Sequence, residues 1–342
     1  MSDTLEIHTI VFMNKNVLVI GGCGYIGSIV SKLISEKDYQ VSLLDDFSTG
    51  SRQVASQLAF PLYEGDYGDE QVLADIFSQR KYDAVLLFAA STSVTESLQN
   101  PEQYYHNNFF KVYPLLKMMK KFSVNQIIFS STAAVYGDVE HLPVSELSPL
   151  RPKSAYGRSK MMSELLIEDL ASQWGMKWVI LRYFNVAGAS VDQQLGQRNT
   201  QANHLMKVCA QAALQQRPKV EVFGTDYQTS DGSGVRDFIH VHDLAQAHIL
   251  SLDYLNKGGG SDTFNVGYGQ GVTVLETIKA FQKVSGVDFQ VEYGDRRAGD
   301  IGCIYADCQK IKKIGWSAQY NDLEFMAKST YLWEKKVCKT PQ

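Results

Sequence analysis

Val17-Leu-Val-Ile-Gly21-Gly-Cys-Gly24-Tyr-Ile-Gly27 is the stretch whose reading decides the fold. Four aliphatic residues predict a buried strand, Gly21-x-x-Gly24-x-x-Gly27 a tight turn, and the residues from Ile26 to Ser35 a helix. Glycines so spaced let the backbone approach a pyrophosphate, whose charge meets the unpaired N–H groups at the helix N-terminus. A glycine-rich turn alone is usually only a turn. Here both flanks fit, and Asp45 and Asp46 close the next strand, where a carboxylate grips an adenosine ribose and repels a 2′-phosphate. The expectation is an NAD site that takes in Gly21, Gly24, Tyr25, Ile26, Gly27, Asp45, Asp46 and Phe47.

Outward from this unit, β-branched runs alternate with amphipathic stretches, the pattern of a parallel sheet covered on both faces. Strands are expected at Val17–Ile20, Val41–Leu44, Phe60–Tyr63, Ala84–Phe88, Gln126–Phe129 and Trp178–Leu181. Helices are expected at Glu70–Gln79, Pro101–Lys121 and Tyr156–Gln173, with Pro114 kinking or dividing the second of these. After Asn185 the chain turns polar and irregular, with a helix near Leu205–Gln215 and a loop at Gly224–Gly234. The fold class is α/β: a Rossmann-type doubly wound parallel sheet with a smaller mixed α/β C-terminal substrate domain. The expected division is an N-terminal extension (1–13), a cofactor domain (14–186, with segments near 235–266 returning to it) and a substrate domain (187–234 and 267–342). Further strand ends supply Asp66 and Tyr67, then Phe88, Ala89 and Ala90, as candidate cofactor contacts.

Composition bounds the function. The 342 residues are 44% hydrophobic and 20% charged, with a net charge of −4, so no overall positive field favours nucleic acid or anionic lipid. The longest apolar run, Ala84–Ala90, falls far short of the ~20 residues that span a bilayer. Met1–Phe12 carries Asp3 and Glu6 and does not read as a signal peptide. Five cysteines without a CxxC pair or zinc-site spacing read as free thiols, and point to the cytoplasm and to no metal.

Tyr156-Gly-Arg-Ser-Lys160 opens a predicted helix and sets both side chains on one face. An ammonium beside a phenol favours phenolate, a usable base near neutral pH. The spacing alone decides nothing, because Tyr113/Lys117 and Tyr331/Lys335 share it. Location does: only Tyr156 follows a strand that ends in hydroxyls, Ser130-Ser131-Thr132, and Thr132 can share the proton of a substrate alcohol. Thr132, Tyr156 and Lys160 are the expected catalytic set. Arg236 and Arg297 are credible diphosphate ligands, because guanidinium forks match phosphate oxygens; the plainer alternative pairs them with Asp237 and Asp295 at the surface.

From about Asn16 to Trp316 the sequence resembles the extended short-chain dehydrogenase/reductase superfamily, and within it the UDP-glucose 4-epimerase family. The matching blocks are residues 21–27, Tyr-Tyr-His-Asn-Asn (104–108), Phe-Ser-Ser-Thr-Ala-Ala-Val-Tyr-Gly (129–137), residues 156–160 and Leu-Arg-Tyr-Phe-Asn (181–185). The most specific are Asp-Gly-Ser-Gly-Val-Arg-Asp-Phe-Ile-His-Val (231–241) and Arg-Arg-Ala-Gly-Asp (296–300). The resemblance implies reversible C4 epimerisation of a UDP-hexose through a 4-keto sugar, with hydride passed to retained NAD and back. It implies that Tyr156 takes the 4-hydroxyl proton, Thr132 hydrogen-bonds that oxygen and Lys160 holds the nicotinamide ribose. It adds Thr92, Asn107, Ser130 and Tyr183 to the cofactor site. For the UDP-sugar it implies Arg236 and Arg297 on the diphosphate, Asp300 on the ribose, and Asn185, His204, Leu205 and Phe223 around the nucleotide. Ile304 takes the position whose bulk bears on N-acetylated hexoses. The helices after Pro101 and at Tyr156–Gln173 resemble those of a homodimer interface, for which Met118, Met119, Met161 and Met162 are candidates alongside the internal core.

Some positions depart from that pattern. Thr92 stands where lysine is common, and Phe238 where tyrosine is. Ala133-Ala134 replaces the Asp-Glu of a 4,6-dehydratase and argues against dehydration. UDP-N-acetylglucosamine, UDP-uronate and UDP-pentose 4-epimerases remain alternatives, as does a non-catalytic NAD-binding regulator.

Overall fold

The computed structural model describes residues 15–37, 39–199, 203–297 and 299–339; the expected extension at 1–13 lies outside them. The first half of the chain runs β1 (Lys15–Ile20), α1 (Tyr25–Ser35), β2 (Tyr39–Asp45), α2 (Arg52–Leu58), β3 (Leu62–Glu64), α3 (Glu70–Gln79) and β4 (Ala84–Leu87). It continues with α4 (Val94–Gln99), α5 (Pro101–Tyr105), α6 (Val112–Lys121), β5 (Gln126–Thr132), α7 (Ala155–Gln173) and β6 (Lys177–Tyr183). Then come β7 (Asn185–Ala187), α8 (Leu205–Ala213), β8 (Lys219–Phe223), β9 (Val235–Arg236), β10 (Phe238–His240), α9 (Val241–Asn256) and β11 (Asp262–Val266). The remainder is β12 (Val272–Thr273), α10 (Val274–Ser285), β13 (Gln290–Gly294), β14 (Cys303–Ile304), α11 (Gln309–Lys313) and α12 (Leu323–Lys339).

Seven strands form one parallel sheet in the order β11-β6-β5-β4-β1-β2-β3. Both faces are buried, which is why the strands read as aliphatic runs. Along β1, Val17 and Val19 enter the core on one side while Leu18 and Ile20 enter the core on the other. Chain order reverses between β1 and β4, so the carboxyl ends of these strands flank a crevice, the place where such sheets bind ligands. Shorter pairings follow in the second half: β10 with β7, β13 with β8, and the trio β12-β9-β14.

Four differences from the sequence reading have physical causes. The third strand begins at Leu62 rather than Phe60, because Ala59 sits in the left-handed region (φ 54°) closing α2 and Pro61 has no N–H to give a ladder. The fifth strand runs on to Thr132, so its hydroxyls are ladder positions: Ser130, Ser131 and Thr132 pair with Leu181, Arg182 and Tyr183. The helix expected over Pro101–Lys121 is divided by a π turn at His106–Phe110, ahead of Pro114. Pro114 instead occupies the first turn of α6, where a missing N–H breaks no helical bond. The edge strand β11, outside the six expected strands, extends the sheet beyond β6, while α9 packs against α1. Met118 and Met119 are buried in the core below the sheet.

Candidate active site

The glycine turn is built for close approach. Gly21 has φ +79°, and a Cβ there would lie 2.6 Å from the Ala89 nitrogen; a Cβ at Gly27 would lie 2.2 Å from the Gly21 carbonyl oxygen. Asp45, buried at the end of β2, accepts from the N–H of Cys23 (2.8 Å) and of Phe47 (2.9 Å), tying the turn to the strand end. Burial pushes its pKa up, and the two backbone donors pull against that. Asp46 faces outward and accepts from Ser48, so the two candidate ribose acids separate into an inner and an outer carboxylate. The Tyr25 hydroxyl donates to the Gly188 carbonyl (2.5 Å), joining the start of α1 to the loop after β7.

The next strand ends complete this wall. Asp66 accepts from the Gly68 N–H (2.8 Å) and pairs with Lys111 (2.7 Å), while the Tyr67 hydroxyl donates to the Asn107 carbonyl. Phe88 and Ala89 both donate their N–H to the Ile20 carbonyl (2.8 and 3.2 Å), closing β4 against β1. The Asn107 amide reaches Ser91 (3.0 Å), and Thr92 is exposed beside it. A cradle that admits no Cβ, a helix N-terminus and a carboxylate at the second strand end are the parts a dinucleotide needs, and these residues fit NAD.

At the carboxyl end of β5 and the start of α7 the three catalytic candidates come together. Thr132 Oγ1 accepts from the Ala134 N–H (3.1 Å) and hydrogen-bonds the Tyr156 phenol, so its proton is free to be given to that oxygen. The Tyr156 ring stands edge-on to Tyr104 at 6.4 Å. Lys160 is 3% exposed, with its ammonium 4.5 Å from the Phe129 ring centre. Burial pushes the phenol pKa up, opposed by Thr132, and pushes the Lys160 amine down to about 7, opposed by Glu164. A phenolate at Tyr156 needs a cationic lysine on the same helix face. The side chain is instead desolvated, and its charge depends on its neighbours.

Below this set, His248 Nδ1 lies 2.9 Å from the Leu244 carbonyl, which can only accept, so the proton is on Nδ1. Nε2 therefore accepts from Ser130 (3.1 Å), which also hydrogen-bonds Tyr183. Burial pushes His248 down to about 4 and keeps it neutral.

The second half supplies a cationic clamp. Asp300 accepts from Arg297 Nε (3.1 Å) and lies 3.8 Å from Arg236 Nη2, so both guanidiniums converge on one carboxylate. Arg297 also stacks 4.2 Å above the Phe223 ring centre. The surface pairing with Asp237 does not form: that carboxylate is fully buried and accepts from the N–H groups of Tyr268, Gly269 and Ala306 (2.9, 2.9 and 3.1 Å). It fastens the segments flanking β9 and β14, whose paired residues are Arg236 and Ile304. Asn185 is exposed where β7 begins, His204 caps the N-terminus of α8 and Leu205 opens that helix.

Residues 17–267 match the model of the NAD dependent epimerase/dehydratase family. The chain belongs to that family. Among relatives of this epimerase/dehydratase chain, UDP-glucose 4-epimerase of Azospirillum brasilense is 42% identical over 325 residues, 95% of this chain and 93% of that protein. The solved UDP-Glc/GlcNAc 4-epimerase of Campylobacter jejuni is 46% identical with a TM-score of 0.83, covering 94% of this chain and 100% of that one. UDP-glucose 4-epimerase of Bifidobacterium longum, solved with NAD+ and UDP, is 37% identical with a TM-score of 0.89, covering 94% and 98%.

Sequence reasoning missed several residues on which this family member's site rests. Buried Asn108 holds the Ser91 backbone through both amide atoms (2.8 and 2.9 Å) and reaches Ser159 on α7 (3.2 Å), fixing the strand-end loop to the catalytic helix. Glu164 and Arg182 form a buried bidentate pair behind Lys160. Helical spacing could have found Glu164, because 156, 160 and 164 share a face. The block 104–108 contains Asn108 without giving it a role, and the contacts that give Asn108 and His248 their places, to Ser91, Ser159 and Ser130, lie far away in sequence.

Proposed function

We propose that the chain is an NAD-dependent UDP-glucose 4-epimerase, interconverting UDP-glucose and UDP-galactose. The observation that carries this reading is a buried Thr132–Tyr156–Lys160 set in the same chain as two arginines, Arg236 and Arg297, that converge on Asp300. A base for a sugar hydroxyl and an anchor for a diphosphate are then in one molecule. Gly21–Gly27 and Asp45 would hold the cofactor, with Lys160 and Tyr183 toward its reactive end. When bound, NAD accepts a hydride from C4 and returns it. Tyr156 takes the 4-hydroxyl proton, with Thr132 donating a hydrogen bond to stabilise the phenolate, and later gives the proton back. Arg236 and Arg297 hold the diphosphate throughout, so the 4-keto sugar can present its other face without leaving. Holding one end tightly and the hexose loosely is what inversion at one carbon needs.

Purified protein incubated with UDP-galactose and no added NAD is expected to form UDP-glucose. Absence of product in protein that contains NAD overturns the UDP-glucose assignment. A second reading extends the substrate to UDP-N-acetylglucosamine. The Campylobacter neighbour is named for both sugars, and Ile304 presents a buried aliphatic wall without a hydroxyl. The same assay with UDP-N-acetylgalactosamine separates the two.

In the domain division we favour, 14–186 with segments near 235–266 carries the cofactor, and 187–234 with 267–342 carries the nucleotide sugar. No helix among the described residues is long and apolar enough to cross a membrane. We read the protein as a cytoplasmic homodimer. Exposed Phe110, Tyr113 and Leu165, on neighbouring segments, support the pairing, and the odd thiol count supports the compartment. A solution mass of one chain, or recovery outside the cytoplasmic fraction, overturns the respective part.

A further inference from the structure

One buried carboxylate stands next to both arms of the catalytic set: it accepts from Ser131, the neighbour of Thr132, and lies one helical turn from Lys160. Glu164 is 1% exposed and lies one turn beyond Lys160 on the same face of α7. Its oxygens accept from Ser131, the residue before Thr132, and from Arg182 Nε (3.1 Å to each oxygen) and Nη2 (2.7 Å). Arg182 also reaches the Tyr136 hydroxyl (3.2 Å), which donates to Asn265 Oδ1 on β11 (2.6 Å). The Asn265 amide holds the Val144 carbonyl (2.9 Å), and Val144 is tied to Tyr305 and Asp307, just past β14. The pair is thus braced from α7 across β6 and β11 to the strand that carries Ile304. A buried ion pair rarely stabilises a fold more than apolar packing would, so its place behind the catalytic strand end and helix calls for an account beyond stability.

We propose that Glu164 is a positioning residue for the epimerase reaction: from one helical turn away it holds Lys160 as an ammonium on the face of α7 shared with Tyr156, and through Ser131 it holds the strand end that presents Thr132. This rests on the functional reading above. The physical need is plain. Lys160 is almost completely desolvated, and burial alone drives its amine toward the neutral form, against which Glu164 acts. The other titratable or charged groups around the pair are Tyr156 and Glu168 on α7, Arg182 and Tyr183 on β6, Tyr136, His248 on α9, and Tyr104 with its partner Glu96. Among them Glu164 is the carboxylate opposing Lys160's loss of charge. Arg182 holds the carboxylate in place through both oxygens, and Ser131 donates to one of them.

The test compares holoenzyme with Glu164→Gln, which keeps the shape and removes the charge. The Lys160 titration is read from its 13Cε shift in lysine-labelled protein, assigned with Lys160→Met. Its midpoint is expected to fall by about one pH unit. In turnover, kcat is expected to fall about 10- to 100-fold with KM within about threefold, because the nucleotide anchor is untouched. The alkaline limb of kcat should move to lower pH with the lysine. A purely structural Glu164 would lower thermal stability and leave the Lys160 midpoint in place, and that result overturns the proposal. Should the variant fail to fold, Ser131→Ala removes only the strand-end arm. It is expected to lower kcat about tenfold at unchanged KM, and wild-type kcat in that variant equally overturns the proposal. Wild-type protein without UDP-galactose conversion would instead sink the functional reading, while the lysine titration, which needs no turnover, still judges Glu164.

Discussion

Replacing Tyr156 with phenylalanine is expected to cut epimerase turnover about 10³-fold, the middle of the range for removing a positioned acid–base group. The ring would stay, and with it the edge-on packing against Tyr104. What leaves is the oxygen that Thr132 hydrogen-bonds and that lies on the helix face shared with Lys160. The change removes proton transfer and leaves the anchor alone, so KM for the UDP-sugar is expected to stay within about threefold. Retained NAD in the variant, measured from the released cofactor, separates lost chemistry from lost binding. Residual turnover above a tenth of wild type would remove Tyr156 from the role of base.

Arg236→Met should act on the opposite parameter. Its guanidinium is largely buried, pushed downward in pKa by that burial and supported by the Asp300 carboxylate. A cation held out of water beside one carboxylate gains most when a second anion arrives. Hydrogen bonds to charged groups contribute about 1.5–3 kcal/mol each, so losing this one should weaken UDP about 10- to 100-fold in a calorimetric titration. Arg297→Met should cost less, because Arg297 is 42% exposed and its charge is partly screened by water. If binding holds the diphosphate equally in ground and transition states, kcat changes little while KM rises. Unchanged affinity for UDP in Arg236→Met would move the diphosphate away from this clamp.

How much of this was legible beforehand depended on range. The glycine turn, the aliphatic strands and the Tyr156/Lys160 spacing are local, because each follows from steric freedom or periodicity within about ten residues. They were enough for the fold class and for naming the side chains that the structure brings together at the end of β5 and the start of α7. The clamp was half legible: two arginines suit a diphosphate, yet the residues alone could not choose between that and surface pairings with Asp237 and Asp295. Burial of Asp237 against three backbone N–H groups removes the first of those pairings, and both arginines turn to Asp300 instead.

What the chain by itself determined is therefore the doubly wound sheet, the glycine turn and the spacing that sets Tyr156 and Lys160 on one helix face. Only the tertiary structure decided their condition. It separated Asp45 from Asp46 by direction, placed the helix break at His106–Phe110 rather than at Pro114, and brought Asn108, Arg182 and Asn265 to the site from distant segments. It also showed Lys160 as a desolvated amine, pushed by burial toward its neutral form. The physical reason is that charge state and partner choice depend on burial and on contacts between residues far apart in sequence, and neither leaves a periodic trace along the chain.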